Sequence, residues 1–391
     1  FNFLNENLTE ILSLFHKRNP VPFLEILLPI GLSFHTFQAM SYTIEVYRGN
    51  QKAEKHFGIY SLYVMFYPQL VAGPIERPQN LLHQFHEKHY FNYDRFKDGL
   101  KLMAWGMFKK VVIADRLATF VNPIFDHPES YSGSSLIIAS IFFTFQIYCD
   151  FSGYSDIAIG SAQCMGFKLM NNFNRPFFSK SVAEFWKRWH ISLSTWFKDY
   201  VYLPLGGNRV SRWRWYYNIS IVFLLSGIWH GANWTFVIWG ALHAFFMVVG
   251  DLTLNGRKKI ANTLGFTRFP ELNKWLNALS TFALVCFAFI FFRAKNVQNA
   301  TYIITHLFDI NFNLNFILHQ ICSVVNKTEF ILSLIAIIIL EIVHSIQRHQ
   351  GIRHMLNKKP VLVRFTVYNV IVLSILLIGI FNHTQFIYFQ F

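Results

Sequence analysis

Charge is what this chain has least of. Asp, Glu, Lys and Arg make up 14% of its 391 residues, well below the roughly 25% of soluble domains. A water-soluble globule is therefore a poor reading. Cysteine is scarce too: Cys149, Cys164, Cys286 and Cys322 form no C-x-x-C pair and no metal-ligand spacing. Three of them sit in or beside apolar runs, where cysteine behaves as a small hydrophobe. No metal site is expected. A glycine-rich phosphate loop and a G-x-S-x-G elbow are both missing, which argues against nucleotide hydrolysis. No secretory signal is visible and the chain starts with Phe, so further N-terminal spans are expected to precede it.

Acidic residues are the scarcer sign, 21 against 35 basic, for a net charge of +14. Such an excess can mark nucleic-acid binding. Here the cations stand in short loops beside apolar runs, as at Arg257-Lys258-Lys259 and Lys358-Lys359. That is the placement expected of cytoplasmic loops, so no nucleic-acid partner is expected.

Apolar residues are abundant: 53% of the chain is hydrophobic and 18% aromatic. The runs at 134–149, 276–292, 328–346 and 365–381 approach the roughly 20 residues that a helix needs to cross hydrocarbon. The expected fold is all-α, a polytopic integral membrane protein forming one domain over 1–391. Helices are expected near 22–47, 57–73, 95–121, 134–166, 215–229, 233–250, 276–293, 328–346 and 363–383, with a short interfacial segment at 297–309. Pro29 and Gly31 predict a kink in the first. The acidic loop 126–133 is placed outside and the basic 168–215 inside. If 215–250 is a hairpin entered from inside, His230 lies at its tip, in the membrane.

Segment 181–203 reads differently. Phe185, Trp186, Trp189, Leu193, Trp196, Phe197, Tyr200 and Val201 share one arc of a helical wheel, opposite Lys187, Arg188, Ser194 and Lys198. The pattern predicts an amphipathic helix lying in the interface. His190 falls at the margin of its apolar arc. It can be a snorkelling interfacial histidine or part of a site.

His230, in IVFLLSGIWHGANW (221–234), is an ionisable group inside an apolar stretch. That is costly in a membrane and points to function. Gly227, Gly231 and Ala232 allow close approach, and Trp229 and Trp234 can wall a cavity. Asp150, with Tyr148 beside it in the 134–166 span, needs a partner or a wet cavity. Glu76 and Arg77 can form a local ion pair between Pro74 and Pro78.

EFWKRWHISLSTWFKDYVYLPLGGNR (184–209) and LLSGIWHGANWTFVIWGALH (224–243) resemble the membrane-bound O-acyltransferase family, in its bacterial alginate O-acetyltransferase branch. Further similar stretches are LPIGLSFHTFQAMSYTIEVYRG (28–49), FYPQLVAGPIERP (66–78), FQIYCDFSGYSDIAIG (145–160) and FIYFQF (386–391). The W-x-R-W-H-x-S-L-S core is shared with D-alanyl transferases of teichoic acid synthesis, while PLGGNR (204–209) favours the acetyl branch.

The resemblance implies a helical bundle with a funnel or tunnel, an acyl thioester donor and a hydroxyl acceptor. It implies that His230 is the family's general base and His190 the second histidine. Trp229, Asn233, Trp186, Ser194, Tyr148 and Asp150 are candidate supporting residues. Acetyl-CoA is the expected co-substrate, with Lys187, Arg188, Lys198 and Arg209 as candidate contacts to its phosphates and no bound cofactor or metal. Membrane lipid surrounds the protein, an extracytoplasmic acetyltransferase partner is expected, and a polysaccharide such as alginate is the final acceptor. The bacterial cytoplasmic membrane is the expected location. D-alanyl transfer from a carrier-protein thioester is the alternative chemistry, and a proton-coupled transporter the alternative class.

Overall fold

The computed structural model describes residues 2–23, 31–348, 352–381 and 386–387, which contain helices and no strand. In chain order the helices, besides a one-turn piece at Pro78–Leu81, are α1 (Asn2–Leu14), α2 (Leu32–Tyr47), α3 (Phe57–Val64), α4 (Tyr93–Met107), α5 (Asp115–Asp126), α6 (Gly133–Met165), α7 (Val182–Trp186), α8 (Ile191–Phe197), α9 (Arg212–His230), α10 (Trp234–Leu252), α11 (Leu254–Thr263), α12 (Pro270–Arg293), α13 (Val297–His306), α14 (Leu314–Val324), α15 (Lys327–Gln347), α16 (Ile352–Asn357) and α17 (Val361–Ile378). Among the described residues α6, α10, α12, α15 and α17 are long and apolar enough to cross a membrane. The all-α, multi-pass reading stands.

α6 is the axis of the body, with 83% of its most apolar window buried. It runs beside a long rod made of α4, a wide-turned π stretch at Phe108–Ala114, and α5. Glycine lets the two backbones meet: a Cβ on Gly106 would come 2.6 Å from the Gly153 carbonyl oxygen. Small residues at such crossings drive helix association where no hydrophobic force separates protein from lipid.

The wide-turned stretch supplies two lysines to the interior. Lys109 Nζ lies 2.8 Å from an Asp156 oxygen, and Lys110 Nζ lies 2.7 Å from Asp150 and 2.8 Å from Asp115. Buried charges survive in a membrane when paired in this way. π stretches of this kind recur at functional sites.

Several expected elements change. The first helix begins at Leu32 with Gly31 in the left-handed region as its N-cap, and the expected kink at Pro29 lies outside the described residues. The expected helix 57–73 stops at Val64, where the chain turns into a short 3-10 segment, Tyr67–Gln69. The expected helix 95–121 extends through the rod to Asp126. Helices α1, α11, α14 and α16 were not expected.

The amphipathic segment is broken, not continuous. α7 ends at Trp186, α8 begins at Ile191, and His190 between them has φ 42°. The wheel assumed one unbroken helix, so it put at a margin a residue that is completely buried.

The α9–α10 hairpin runs from Arg212 to Leu252, close to the expected 215–250. Nineteen residues of α9 rise about 28 Å, enough to cross most of the hydrocarbon. Asn233 at the turn donates to the Lys295 carbonyl, and Lys295 pairs with Asp126 at 3.2 Å. His230, at the tip of the hairpin, is therefore linked through the turn to Asp126 at the start of the 126–133 loop. Phe3 and Asn7 of α1 pack on Trp234 over this turn.

Candidate active site

His190 and His230, separated by 40 positions in sequence, meet across Trp229. The Trp229 ring centroid lies 4.9 Å from that of His230 and 6.2 Å from that of His190. Trp229 packs in turn on Phe37, ring planes 18° apart and centroids 5.2 Å apart, and edge-on to Phe34. Its indole Nε1 is shielded from water and has no hydrogen-bond partner among the described residues. Such a donor is costly to bury, by about 1–3 kcal/mol.

The loop 171–174 holds His190 in place. Asn172 accepts from the Ile191 and Ser192 amides through its carbonyl and side-chain oxygens, and from the Ser192 hydroxyl at 2.9 Å. The Asn174 amide donates to the Arg188 carbonyl. Left-handed backbone costs a non-glycine residue about 1–3 kcal/mol and persists where surroundings over-determine it. Here two strapped loops and the edge contact from Phe151, 4.6 Å between centroids, do so.

His230 is partly accessible, as are Trp229 and Gly231. It ends α9, with Trp239 at 5.0 Å and Phe292 at 5.2 Å between ring centroids. Beyond Trp239 stands a third histidine that sequence reasoning missed. His243 is fully buried and accepts from the Trp186 indole at 3.2 Å. Its signal was available: it lies one helical turn after Trp239, on the same face.

The remaining candidates are spread out. Asn233 caps α10, accepting from Thr235 and donating to Lys295. Ser194 donates to the Trp189 carbonyl. Asp150 has the partner it needs in Lys110, and its other oxygen accepts from the Ile387 amide at 2.7 Å. That bond draws the C-terminal segment against the site, with Phe386 on Tyr154 and Phe151. Tyr148 shares a hydrogen bond of 2.9 Å with His344, whose other nitrogen lies 3.2 Å from Glu341.

Lys187, Lys198 and Arg209 are exposed, whereas Arg188 is held by Glu184 at 2.6 Å. Burial tends to raise the Glu184 pKa, but the Lys180 amide and Arg188 outweigh it and hold the carboxyl below its ordinary value. Arg77 does not close on its neighbour as expected. It donates to Asp199 at 3.2 Å. Glu76 is buried, accepts from the Met170 amide and Asn80, and burial pushes its pKa up to about 7.

A cavity of about 1060 Å³ reaches Tyr148, Asn174 and Ile191, next to His190 in sequence, yet neither His190 nor His230 lines it. Among the described residues no three His, Cys, Asp or Glu side chains converge as a metal-binding group.

Comparison with known proteins bears on this arrangement. Residues 51–294 match the family model of the membrane-bound O-acyltransferase family. "Probable alginate O-acetylase AlgI" of Pseudomonas aeruginosa is 42% identical over 299 residues, covering 76% of this chain and 55% of the relative. "Peptidoglycan O-acetyltransferase" of Helicobacter pylori is 38% identical over 314 residues, covering 74% and 58%. "Teichoic acid D-alanyltransferase" of Streptococcus thermophilus is 29% identical, covering 67% and 68%. The chain spans a little over half the length of the two acetylating relatives. Both histidines, Trp229 and the loop that straps His190 fall inside the matched region, and the chain belongs to the membrane-bound O-acyltransferase family.

Proposed function

We propose that this protein is a membrane O-acetyltransferase. It moves an acetyl group from a thioester donor, acetyl-CoA, to a hydroxyl acceptor during O-acetylation of an exported polysaccharide such as alginate. The observation that carries the reading is the Trp229 indole, a shielded donor with no partner among the described residues, set between two imidazoles. Acyl transfer through a tetrahedral species needs such a donor for the oxygen on which charge develops.

In this reading a His230 ring nitrogen accepts the proton of the acceptor hydroxyl as its oxygen bonds to the thioester carbonyl carbon. The carbonyl electron pair moves to oxygen, where the Trp229 N–H meets it. Collapse breaks the C–S bond, and the imidazolium returns its proton to the departing thiolate. His190, sealed behind Trp229, acts through that ring as a positioning residue. The exposed cations Lys187, Lys198 and Arg209 draw the donor's phosphates from solution, while Arg188 stays with Glu184.

An extracytoplasmic partner protein completes delivery to the polysaccharide, and the bacterial cytoplasmic membrane is the site of action. The relatives named for acetyl transfer are 38–42% identical, against 28–29% for those named for D-alanyl transfer. That difference favours acetyl over D-alanyl.

The donor is tested by reconstituting the full chain in vesicles and offering acetyl-labelled coenzyme A or a labelled D-alanyl carrier protein. Label from the first, and not the second, is expected in an O-linked product released by mild base. Acceptance of D-alanyl alone would overturn the assignment.

A further inference from the structure

The 1060 Å³ cavity exceeds the usual range of about 300–1,000 Å³ for ligand pockets. It is walled by Trp105 of α4, Ile339 and Val343 of α15, and Val367 and Ile371 of α17. α17 is apolar enough to span a membrane, yet none of its most apolar window is buried within the protein. Ile371, Ile375 and Ile378 pack on the core, and much of the rest of α17 is exposed, so the apolar part of the cavity lies beside a lipid-facing helix.

The mouth has a different chemistry. Lys97, Lys101 and Arg353 line the cavity, Arg353 donating to the Asp98 carbonyl and to Gln163, and the carboxylate among its described lining residues, Asp156, is already paired with Lys109. Lys101 Nζ donates to Asn357 at 2.7 Å and stands 5.4 Å from the Tyr368 ring centroid, so the cations gather where α4, α16 and α17 converge. Lys97 and Lys101 also touch Asp94 and Asp98; the exposed Lys97–Asp94 pair is of the weak surface kind, while Lys101 is shared between Asp98 and Asn357. The Tyr368 hydroxyl is shielded and has no hydrogen-bond partner among the described residues.

We infer that this cavity binds an anionic phospholipid, its phosphate held by Lys97, Lys101, Arg353 and the Tyr368 hydroxyl and an acyl chain lying between α4, α15 and α17. Basic pockets between membrane helices recognise lipid headgroups through this chemistry. A nucleotide thioester would supply phosphates of the same chemistry, and polar side chains such as Tyr148, Asn171 and Asn174 also line the cavity, so displacement by coenzyme A is the outcome that separates the two ligands. The inference is independent of the acetyl-transfer reading.

The full chain, purified in detergent, is exchanged into mixed micelles of phosphatidylglycerol and phosphatidylcholine, and retained lipid is counted by native mass spectrometry. Preferential retention of one phosphatidylglycerol is expected. Lys97→Gln with Lys101→Gln should weaken it about tenfold, whereas Lys258→Gln with Lys259→Gln, in exposed α11, should leave it unchanged. Val367→Trp keeps the cations and fills the chain space, and should also lose the lipid. Equal retention of both lipids would overturn the site, as would retention unaffected by Val367→Trp or displacement of the lipid by coenzyme A.

Discussion

Replacing Lys110 by methionine should do more damage than replacing either carboxylate it touches. Lys110 Nζ bridges Asp150 and Asp115 at 2.7 and 2.8 Å, and those carboxylates are 3% and 5% exposed. Lys110→Met leaves the Asp150 carboxylate without its ammonium and takes a contact from Asp115. Stranding buried charge in this way costs about 3–5 kcal/mol. Asp150→Asn is milder: the ammonium keeps Asp115, and the Asn carbonyl can still accept from the Ile387 amide. It gives up one charge-assisted bond, about 1.5–3 kcal/mol. In the double variant the lysine and one charge vanish together, so its cost should fall short of the summed single costs by about 1–3 kcal/mol. The assay is thermal unfolding of the purified protein in one detergent, followed by loss of the monodisperse size-exclusion peak. The expected order of midpoints is wild type, Asp150→Asn, then Lys110→Met, with the double variant at or above Lys110→Met. Additive effects, or a larger loss for Asp150→Asn, would refute the view that one shared cation holds these carboxylates.

Three further outcomes follow from the geometry. Trp229→Phe keeps a ring between the histidines but deletes the unpartnered N–H, so kcat should fall about 10²–10³-fold with KM little changed and the melting midpoint not lowered; a pure loss of stability would contradict this. Glu76 titrates at about 7 in the fold, above its unfolded value of about 4.3, so the folded state holds a proton the unfolded chain releases. Its contribution is complete below pH 4.3 and is lost as pH climbs to about 7. Glu76→Gln should therefore gain on wild type across that window in melts at several pH values. Gly227 faces the Phe236 carbonyl across the hairpin with no room for a Cβ, whereas Gly250 has open space. Gly227→Ala should lower the melting midpoint by several degrees, whereas Gly250→Ala, inside α10 with open space, should leave it unchanged or raise it slightly.

Much of the fold was legible because hydropathy reports lipid-facing length directly. α6 was anticipated within a residue at each end, and both ends of the α9–α10 hairpin fell close to expectation. Tertiary override explains the failures. The 181–203 wheel could not show that Asn172 pins the amides after His190 and breaks the helix there. Lys110 could not be named as the partner of Asp150, because pairing across two helices leaves no local spacing. The wide-turned stretch that supplies both lysines has no signature in composition.

Of the site, the two histidines and Trp229 were visible as polar groups in apolar surroundings. Their meeting was not, since 40 residues and a hairpin separate them. His243 and His344 went unnoticed inside helical runs, although Tyr148 and Trp186, their hydrogen-bond partners, had been singled out. A buried indole or phenol asks for an acceptor, and a search for one would have found both.

The central claim is that the His230 ring accepts the acceptor's proton. The direct measurement is transfer of labelled acetyl from acetyl-CoA by the reconstituted full chain, comparing wild type with His230→Ala at equal membrane abundance and equal melting midpoint. Loss of transfer by at least about 10²-fold is the expected result. Transfer by His230→Ala within a few-fold of wild type would contradict the account.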